Sequence, residues 1–357
     1  MNSFSLGGRL VGDGAPCVII AEAGCNHGGR REDAVALVRA AAQSGADYVK
    51  FQTFRAQALL RREGNPELYG LLEGLELDAD AHGELLRVAR EAGVDFLSTP
   101  FDEASLELLA SLDPSAVKIG SFELTHTPLL AAAARLGKPL LISTGMATLG
   151  EVEQALDVVL AQGNDRIVLL HCASTYPSVA ADLNLAAMET LRRAFGFPVG
   201  LSDHYPGIES ALAAVALGAA VVEKHVTLDR NQPGLDHAFS LEPHQFRAMV
   251  QGIRQVEAMR GDGQKRPRQR EQAVRQSGRR ILVASRDLPV GTVLSAADLA
   301  CKRPGVAAPE TALPASALSQ VLGRRTRDPM PRDAVVTCAA LMHGDADSGR
   351  GGEEFQD

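Results

Sequence analysis

Hydrophobic and polar positions follow a repeating two-part unit along the first two thirds of the chain. A short, almost continuous apolar run ends in polar residues, and a stretch with apolar positions every three or four residues follows. Eight such endings occur: AEAGCNH, VKFQTF, LSTPFD, VKIGS, LISTG, LLHCAS, GLSDH and VEKHV. The runs predict strands near 18–24, 48–54, 95–101, 116–121, 139–145, 166–174, 198–204 and 220–226. Strands apolar on both faces belong to a parallel sheet that is covered on both sides. Between them, Ala34, Leu37, Val38 and Ala41 recur at helical spacing, as do Val152, Ala155, Leu156 and Val159. Eight strand–helix units in about 240 residues predict an α/β fold of the (β/α)8 TIM-barrel type. A doubly wound sheet is the alternative, but it has fewer strands and a glycine-rich first turn that GCNHGG mimics only loosely.

All strands of a parallel barrel end on one face, so the polar endings meet there. Alternation puts Glu223 and His225 on one face of their strand, with Lys224 opposite, and puts Ser202 and His204 together on the neighbouring strand. His204 and His225 therefore approach each other, a candidate site for Mn²⁺, Co²⁺, Fe²⁺ or Zn²⁺. The bland reading is that each ring is only hydrogen-bonded near the rim. His27 and His171 lack a facing partner and read as structural. Lys50 and Lys118 end two strands; each can bind an anion, form a Schiff base, or simply sit in a salt bridge. Thr99, Ser121, Ser143, Thr144 and Ser202 also lie at strand ends. One such serine is more often a helix cap, whereas five around one rim with lysines favour a phosphate cradle. Glu22 faces the same mouth and could position water, take a proton, or pair with a lysine. Asp236, in the RNQPGLDH loop, reads as exposed, either binding a polar substrate or shaping a turn.

Residues 55–80 separate the second strand from its helix and read as a loop or lid over the open face. The barrel domain spans 1–259, and the polar, basic stretch 260–279 reads as a linker. Segments 280–342 form a small β-rich domain, and 343–357 read as a disordered tail. Aromatic residues make up 4% and Trp is absent, so Leu, Val and Ala must fill the core. A dispersed net charge of −8 disfavours a nucleic-acid partner. No apolar stretch approaches the ~20 residues of a membrane helix, and the N-terminus lacks the features of a signal peptide. Five cysteines without CxxC spacing read as reduced thiols of a cytoplasmic protein.

Together the segments IIAEAGCNHGG, GADYVKFQTF, FLSTPFD, KIGSFELTHTPLL, ISTGMATLGEV, LLHCASTYP, GLSDHYPG and EKHVTLDRNQPGLDH resemble the sialic acid synthase family. The stretch ILVASRDLPVGTVLSAADLACKRPG resembles that family's C-terminal antifreeze-like (SAF) domain. The resemblance implies metal-dependent condensation of phosphoenolpyruvate with an N-acyl aldose, such as N-acetylmannosamine or a related diacetamido hexose. The products are a nonulosonic acid and phosphate. By similarity His204 and His225 hold a divalent ion, commonly Mn²⁺, with Mg²⁺ or Co²⁺ as alternatives. Lys118, Ser121, Ser143 and Ser202 match phosphate contacts; Lys50 and Thr99 match positions near the carboxylate. Glu22 matches a carboxylate beside the reacting carbons. Glu223, Tyr176, Asp236 and Asn65 match the sugar side. Arg303 matches an arginine that reaches a partner subunit's site, which implies a domain-swapped homodimer. The chain departs from the family pattern at Ala23, Lys224 and Ser174, the last of which bears on which acyl sugar is used. PGLDH resembles the neuraminate and legionaminate branch.

Three rivals remain at this level. A synthase acting on a phosphorylated aldose needs a second anion site, and the mouth shows no spare basic cluster. A Schiff-base aldolase needs Lys50 or Lys118 as nucleophile. A non-catalytic SAF-domain binding protein would be expected to have lost part of the polar rim, which is complete.

Overall fold

The computed structural model describes residues 3–342; the tail read as disordered lies outside them. Two short antiparallel strands come first, β1 (Phe4–Leu6) and β2 (Arg9–Val11). Gly7 and Gly8 join them with φ of 54° and 84°, the left-handed backbone that a two-residue hairpin turn requires.

The eight apolar runs then form eight parallel strands: β3 (Val18–Glu22), β4 (Tyr48–Thr53), β5 (Asp95–Pro100), β6 (Val117–Ile119), β7 (Leu140–Ser143), β8 (Ile167–Cys172), β9 (Val199–Asp203) and β10 (Val221–His225). Pairing runs β5-β4-β3-β10-β9-β8-β7-β6, and β5 packs beside β6 at the seam of the barrel. Helices α1 (Arg31–Gln43), α4 (Ala79–Ala92), α5 (Glu103–Ser111), α6 (Thr127–Arg135), α7 (Leu149–Leu160), α8 (Ala187–Phe195), α9 (Glu209–Ala216) and α10 (Pro243–Arg260) follow the strands. The residues read at helical spacing in α1 and α7 are all buried. They face outward-pointing strand residues such as Ile19, Val49, Ile142 and Leu169.

Inside the barrel, Val18, Ile20, Tyr48, Leu97, Ala116, Leu141, Val168, Leu170 and Val221 form one buried cluster, completed by Leu6 and Val11 of the hairpin. The hairpin therefore plugs the barrel at the end opposite the strand C-termini. Alternation carries the same inward face up to Glu22, Lys50, Thr99, Lys118, Ser143, Ser202 and Glu223. On the outward face, Lys224 and Asp203 form a fully buried ion pair at 2.6 Å, supported by Ser210 and the Tyr205 carbonyl.

The excursion read as a loop contains two helices, α2 (Ala56–Leu59) and α3 (Pro66–Glu73). Asn65 caps α3 and Pro66 opens it, the favoured order at a helix start. Ala56, Tyr69, Leu72 and Leu75 pack with Cys25 and Phe54, so the excursion is anchored on the loop after β3.

The chain divides into two compact units between Asp262 and Gly263. The segment read as a linker carries a helix, α11 (Gln272–Gly278). In the second unit β11 (Ile281–Ala284) pairs antiparallel with β12 (Leu299–Lys302), with further bridges such as Val283–Val335 and Leu288–Met330 and a short helix, α12 (Leu318–Val321). Leu282, Leu288, Leu294, Val321, Met330 and Val336 form its own core. Among the described residues no helix is long and apolar enough to cross a membrane.

Candidate active site at the barrel mouth

The layer above the apolar plug is a buried ring of two ammonium groups and two carboxyl groups. Lys50 Nζ lies 2.9 Å from Glu22 Oε2 and 3.4 Å from Glu223 Oε1, and donates to Thr99 Oγ1 at 3.0 Å. Lys118 Nζ donates to Ser143 Oγ at 2.8 Å and lies 3.9 Å from Glu223 Oε1. Ser202 Oγ donates to Glu223 Oε1, and Gln52 Nε2 to Glu22 Oε1. The salt-bridge reading of Glu22 and Lys50 is thus realised, although in a setting where buried charges balance. Both lysines sit mid-strand rather than at strand ends, because β4 and β6 continue past them.

The four groups are tuned apart. Burial raises the Glu22 carboxyl pKa, Lys50 only partly offsets this, and the neighbouring Glu223 charge adds to it. Burial pushes Glu223 upward too, but Lys118 and Lys50 outweigh it and hold Glu223 below the ordinary range. Burial lowers Lys118. It acts the same way on Lys50, where Glu22 and Glu223 reverse it and keep the ammonium charged.

Beside this ring, the His204 and His225 ring centroids are 5.4 Å apart. Phe239 and Tyr176 wall the pair, with Tyr176 4.2 Å from the His204 ring centroid. His204 Nδ1 bonds the Ala173 carbonyl at 3.0 Å, which leaves Nε2 as its free donor atom. His225 Nδ1 is buried without a hydrogen-bond partner, 3.7 Å from Asp236 Oδ2. Two imidazoles fit two positions of a divalent ion. No cluster of three or more His, Cys, Asp or Glu suited to a metal occurs among the described residues, so water and substrate would supply the rest.

Asp236 corrects the reading of an exposed loop residue. Its side chain is 14% exposed and accepts from the Cys25 backbone N–H at 3.2 Å. The loop folds inward because Asn26 Nδ2 donates to the Val226 carbonyl and to Ser240 Oγ, and Ser240 Oγ donates to the Asp236 carbonyl. Gly24, at φ 50°, allows this approach, since a Cβ there would lie 2.7 Å from Asp236 Oδ2.

On the opposite side Ser121 Oγ accepts from the Gly145 N–H at 3.0 Å and also lies beside the Cys172 thiol. Next to it Glu123, which the sequence reading passed over, is buried with Oε2 unpaired, and burial raises its pKa to about 7. Asn26 was also missed; only its place in GCNHGG could have pointed to it. Among the described residues, four buried side-chain polar atoms lack a hydrogen-bond partner, on Asn26, Glu123, Glu223 and His225, while Glu22 Oε2 has only its ion pair with Lys50. All belong to the C-terminal ends of the strands or the loops just after them. Asn65 is not gathered with the rest, and Arg303 belongs to the second unit. Asn65 is exposed and spends its Oδ1 capping α3, and Arg303 is exposed in the second unit. His27 and His171 make local bonds to Gly29 N–H and the Leu183 carbonyl.

A closed parallel barrel with a buried charged ring at its C-terminal mouth defines a (β/α)8 enzyme. The chain belongs to the NeuB family, whose model matches residues 37–265, and the SAF domain model matches residues 279–342. It is 44% identical to an N,N'-diacetyllegionaminic acid synthase of Campylobacter jejuni, covering 80% of this chain and 90% of that protein. The enzyme of the same name from Legionella pneumophila is 43% identical, with 88% and 91% covered. A solved N-acetylneuraminic acid synthetase of Leptospira borgpetersenii superposes with a TM-score of 0.72 at 34% identity, covering 76% of this chain and 94% of that one.

Proposed function

We propose that the chain condenses phosphoenolpyruvate with an unphosphorylated N-acyl aldose to give a nonulosonic acid and phosphate. The observation that carries this reading is the ring itself: two lysines, each paired with a hydroxyl, on opposite sides of one carboxylate. Such a ring suits a small molecule with two anionic ends. Lys118, Ser143, Ser202 and Ser121 would take the phosphate, and Lys50 and Thr99 the carboxylate.

Carbon 3 of phosphoenolpyruvate then attacks the aldehyde, water adds at carbon 2, and phosphate departs with C–O cleavage. Glu22 stands beside these carbons with a raised pKa, suited to hold a proton or orient the water. His204 and His225 would hold a divalent ion, Mn²⁺ first, whose chemistry is to polarise the aldehyde oxygen. Tyr176, Glu223 and Asp236 would orient the sugar. A swapped homodimer in which Arg303 serves the second copy's site belongs to the same proposal.

The test is to incubate metal-stripped protein with phosphoenolpyruvate, added Mn²⁺ and a panel of free and 6-phosphorylated aldoses, reading phosphate release and the mass of the acid. Metal-dependent release with a free N-acyl hexose, lost in His204→Ala together with Mn²⁺ binding, is the expected result. Silence across the panel from folded protein overturns the reading.

A further inference from the structure

The buried ion pair on the outward face of the barrel lies one residue before each of the two mouth histidines: Asp203 precedes His204, and Lys224 precedes His225. The parity that points His204 and His225 at the mouth turns both partners toward the helices. Lys224 and Asp203 are also register partners, the last pair of the β9–β10 ladder among the described residues. Backbone pairing between the strands therefore stops just short of the two imidazoles, whose centroids are 5.4 Å apart.

Side chains continue the connection where the backbone leaves off. Asp203 Oδ1 accepts from the Tyr205 N–H at 3.0 Å, so it holds the peptide that follows His204. The carbonyl of that peptide accepts from the Ser178 N–H at 3.1 Å. Asp203 Oδ2 accepts from Ser210 Oγ, in the first turn of α9, at 2.5 Å and from Lys224 Nζ at 2.6 Å. Lys224 Nζ also donates to the Tyr205 carbonyl. One ammonium on β10 thus grips the chain on either side of His204.

A buried ion pair adds little net stability over apolar side chains of the same size, so stability alone does not account for this one. Two imidazoles that share an ion must bring their nitrogens within about 2 Å of one point, and a splay of about 1 Å undoes that. We infer that Lys224 and Asp203 are positioning residues that set the spacing of His204 and His225, and through it their affinity for a divalent ion. This rests on the reading above in which the two histidines hold that ion.

The test measures Mn²⁺ affinity by electron paramagnetic resonance of the free ion, in wild type and in the double variant Lys224→Met, Asp203→Asn. Both charges leave together, so the field at the imidazoles changes little while the grip around His204 is lost. Phosphoenolpyruvate affinity of the metal-free protein, by calorimetry, is the control, because Lys50 and Lys118 lie on the inward face. Mn²⁺ is expected to bind about 10- to 100-fold more weakly in the variant, with phosphoenolpyruvate affinity within about twofold of wild type. Unchanged Mn²⁺ affinity in the folded variant, or an equal loss for both ligands, overturns the positioning role and leaves the metal reading standing. Should the double variant fail to fold, Ser210→Ala decides: loosening Asp203 from α9 is expected to weaken Mn²⁺ about threefold, and no change overturns the role. Wild-type protein that binds Mn²⁺ no better than His204→Ala overturns the metal reading and this inference with it.

Discussion

Replacing Lys118 with Met isolates the charge balance of the mouth. Met keeps the length and the apolar stem but removes the ammonium, leaving Lys50 alone against Glu22 and Glu223. The excess negative charge is relieved when Glu22, already raised by burial, takes up a proton. From an ordinary glutamate pKa of about 4.3, that uptake costs at most about 4 kcal/mol at pH 7.5 and between about 1 and 2 at pH 5.5. In the folded variant Glu22 binds a proton that the unfolded chain has released, so the variant loses stability relative to wild type as pH rises above about 4.3. With 2–4 °C per kcal/mol for a unit of this size, the melting temperature should fall by up to about 8–16 °C at pH 7.5 and by about 2–8 °C at pH 5.5. Thermal unfolding of wild type and variant at both pH values checks this. An equal deficit at both would mean that lost packing or hydrogen bonds dominate, and the charge-balance reasoning would fail.

Glu123→Gln should stabilise the protein by up to about 3 kcal/mol at pH 8.5 and leave it nearly unchanged at about pH 3.5, because a carboxyl raised to about 7 costs stability only once the unfolded chain would ionise it; chemical denaturation at the two pH values measures this. Asn26→Ala removes two buried bonds that hold the Asp236 loop, so it should cost about 1–3 kcal/mol and raise KM for the sugar more than KM for phosphoenolpyruvate. Lys224→Met strands the buried Asp203 carboxylate and should cost about 3–5 kcal/mol in urea unfolding. Adding Asp203→Asn should recover at least half of that loss, and no recovery would show that packing rather than charge is at stake.

The barrel could be read from the chain because strand and helix periods alternate cleanly and parallel strands send their endings to one place. The shared face of Glu223 with His225, and of Ser202 with His204, followed from alternation alone. What alternation could not give was side-chain contact across the ring, such as Ser143 with Lys118 or Thr99 with Lys50. Asp236 was misjudged because its loop is polar and turn-rich, whereas the fold draws it inward through Asn26 and Ser240, one of them over two hundred residues away. The opening hairpin carries its turn signal in FSL-GG-RLV, but strands of three residues are too short for alternation to mark them. Helix α3 likewise carries its start signal in Asn65-Pro66, but eight residues give the helical period barely two turns in which to show.

The hairpin plug has a kinetic consequence. With Leu6 and Val11 sealing the floor, a ligand of the charged ring approaches from the C-terminal mouth, where the Lys118 side chain is 3% exposed and that of Asp236, on the loop above, is 14% exposed. On the function proposed above, a molecule held at Lys118 would enter before one held at Asp236 and depart after it. If the two reactants of that proposal share the mouth, arrival and departure would form a queue: first in, last out.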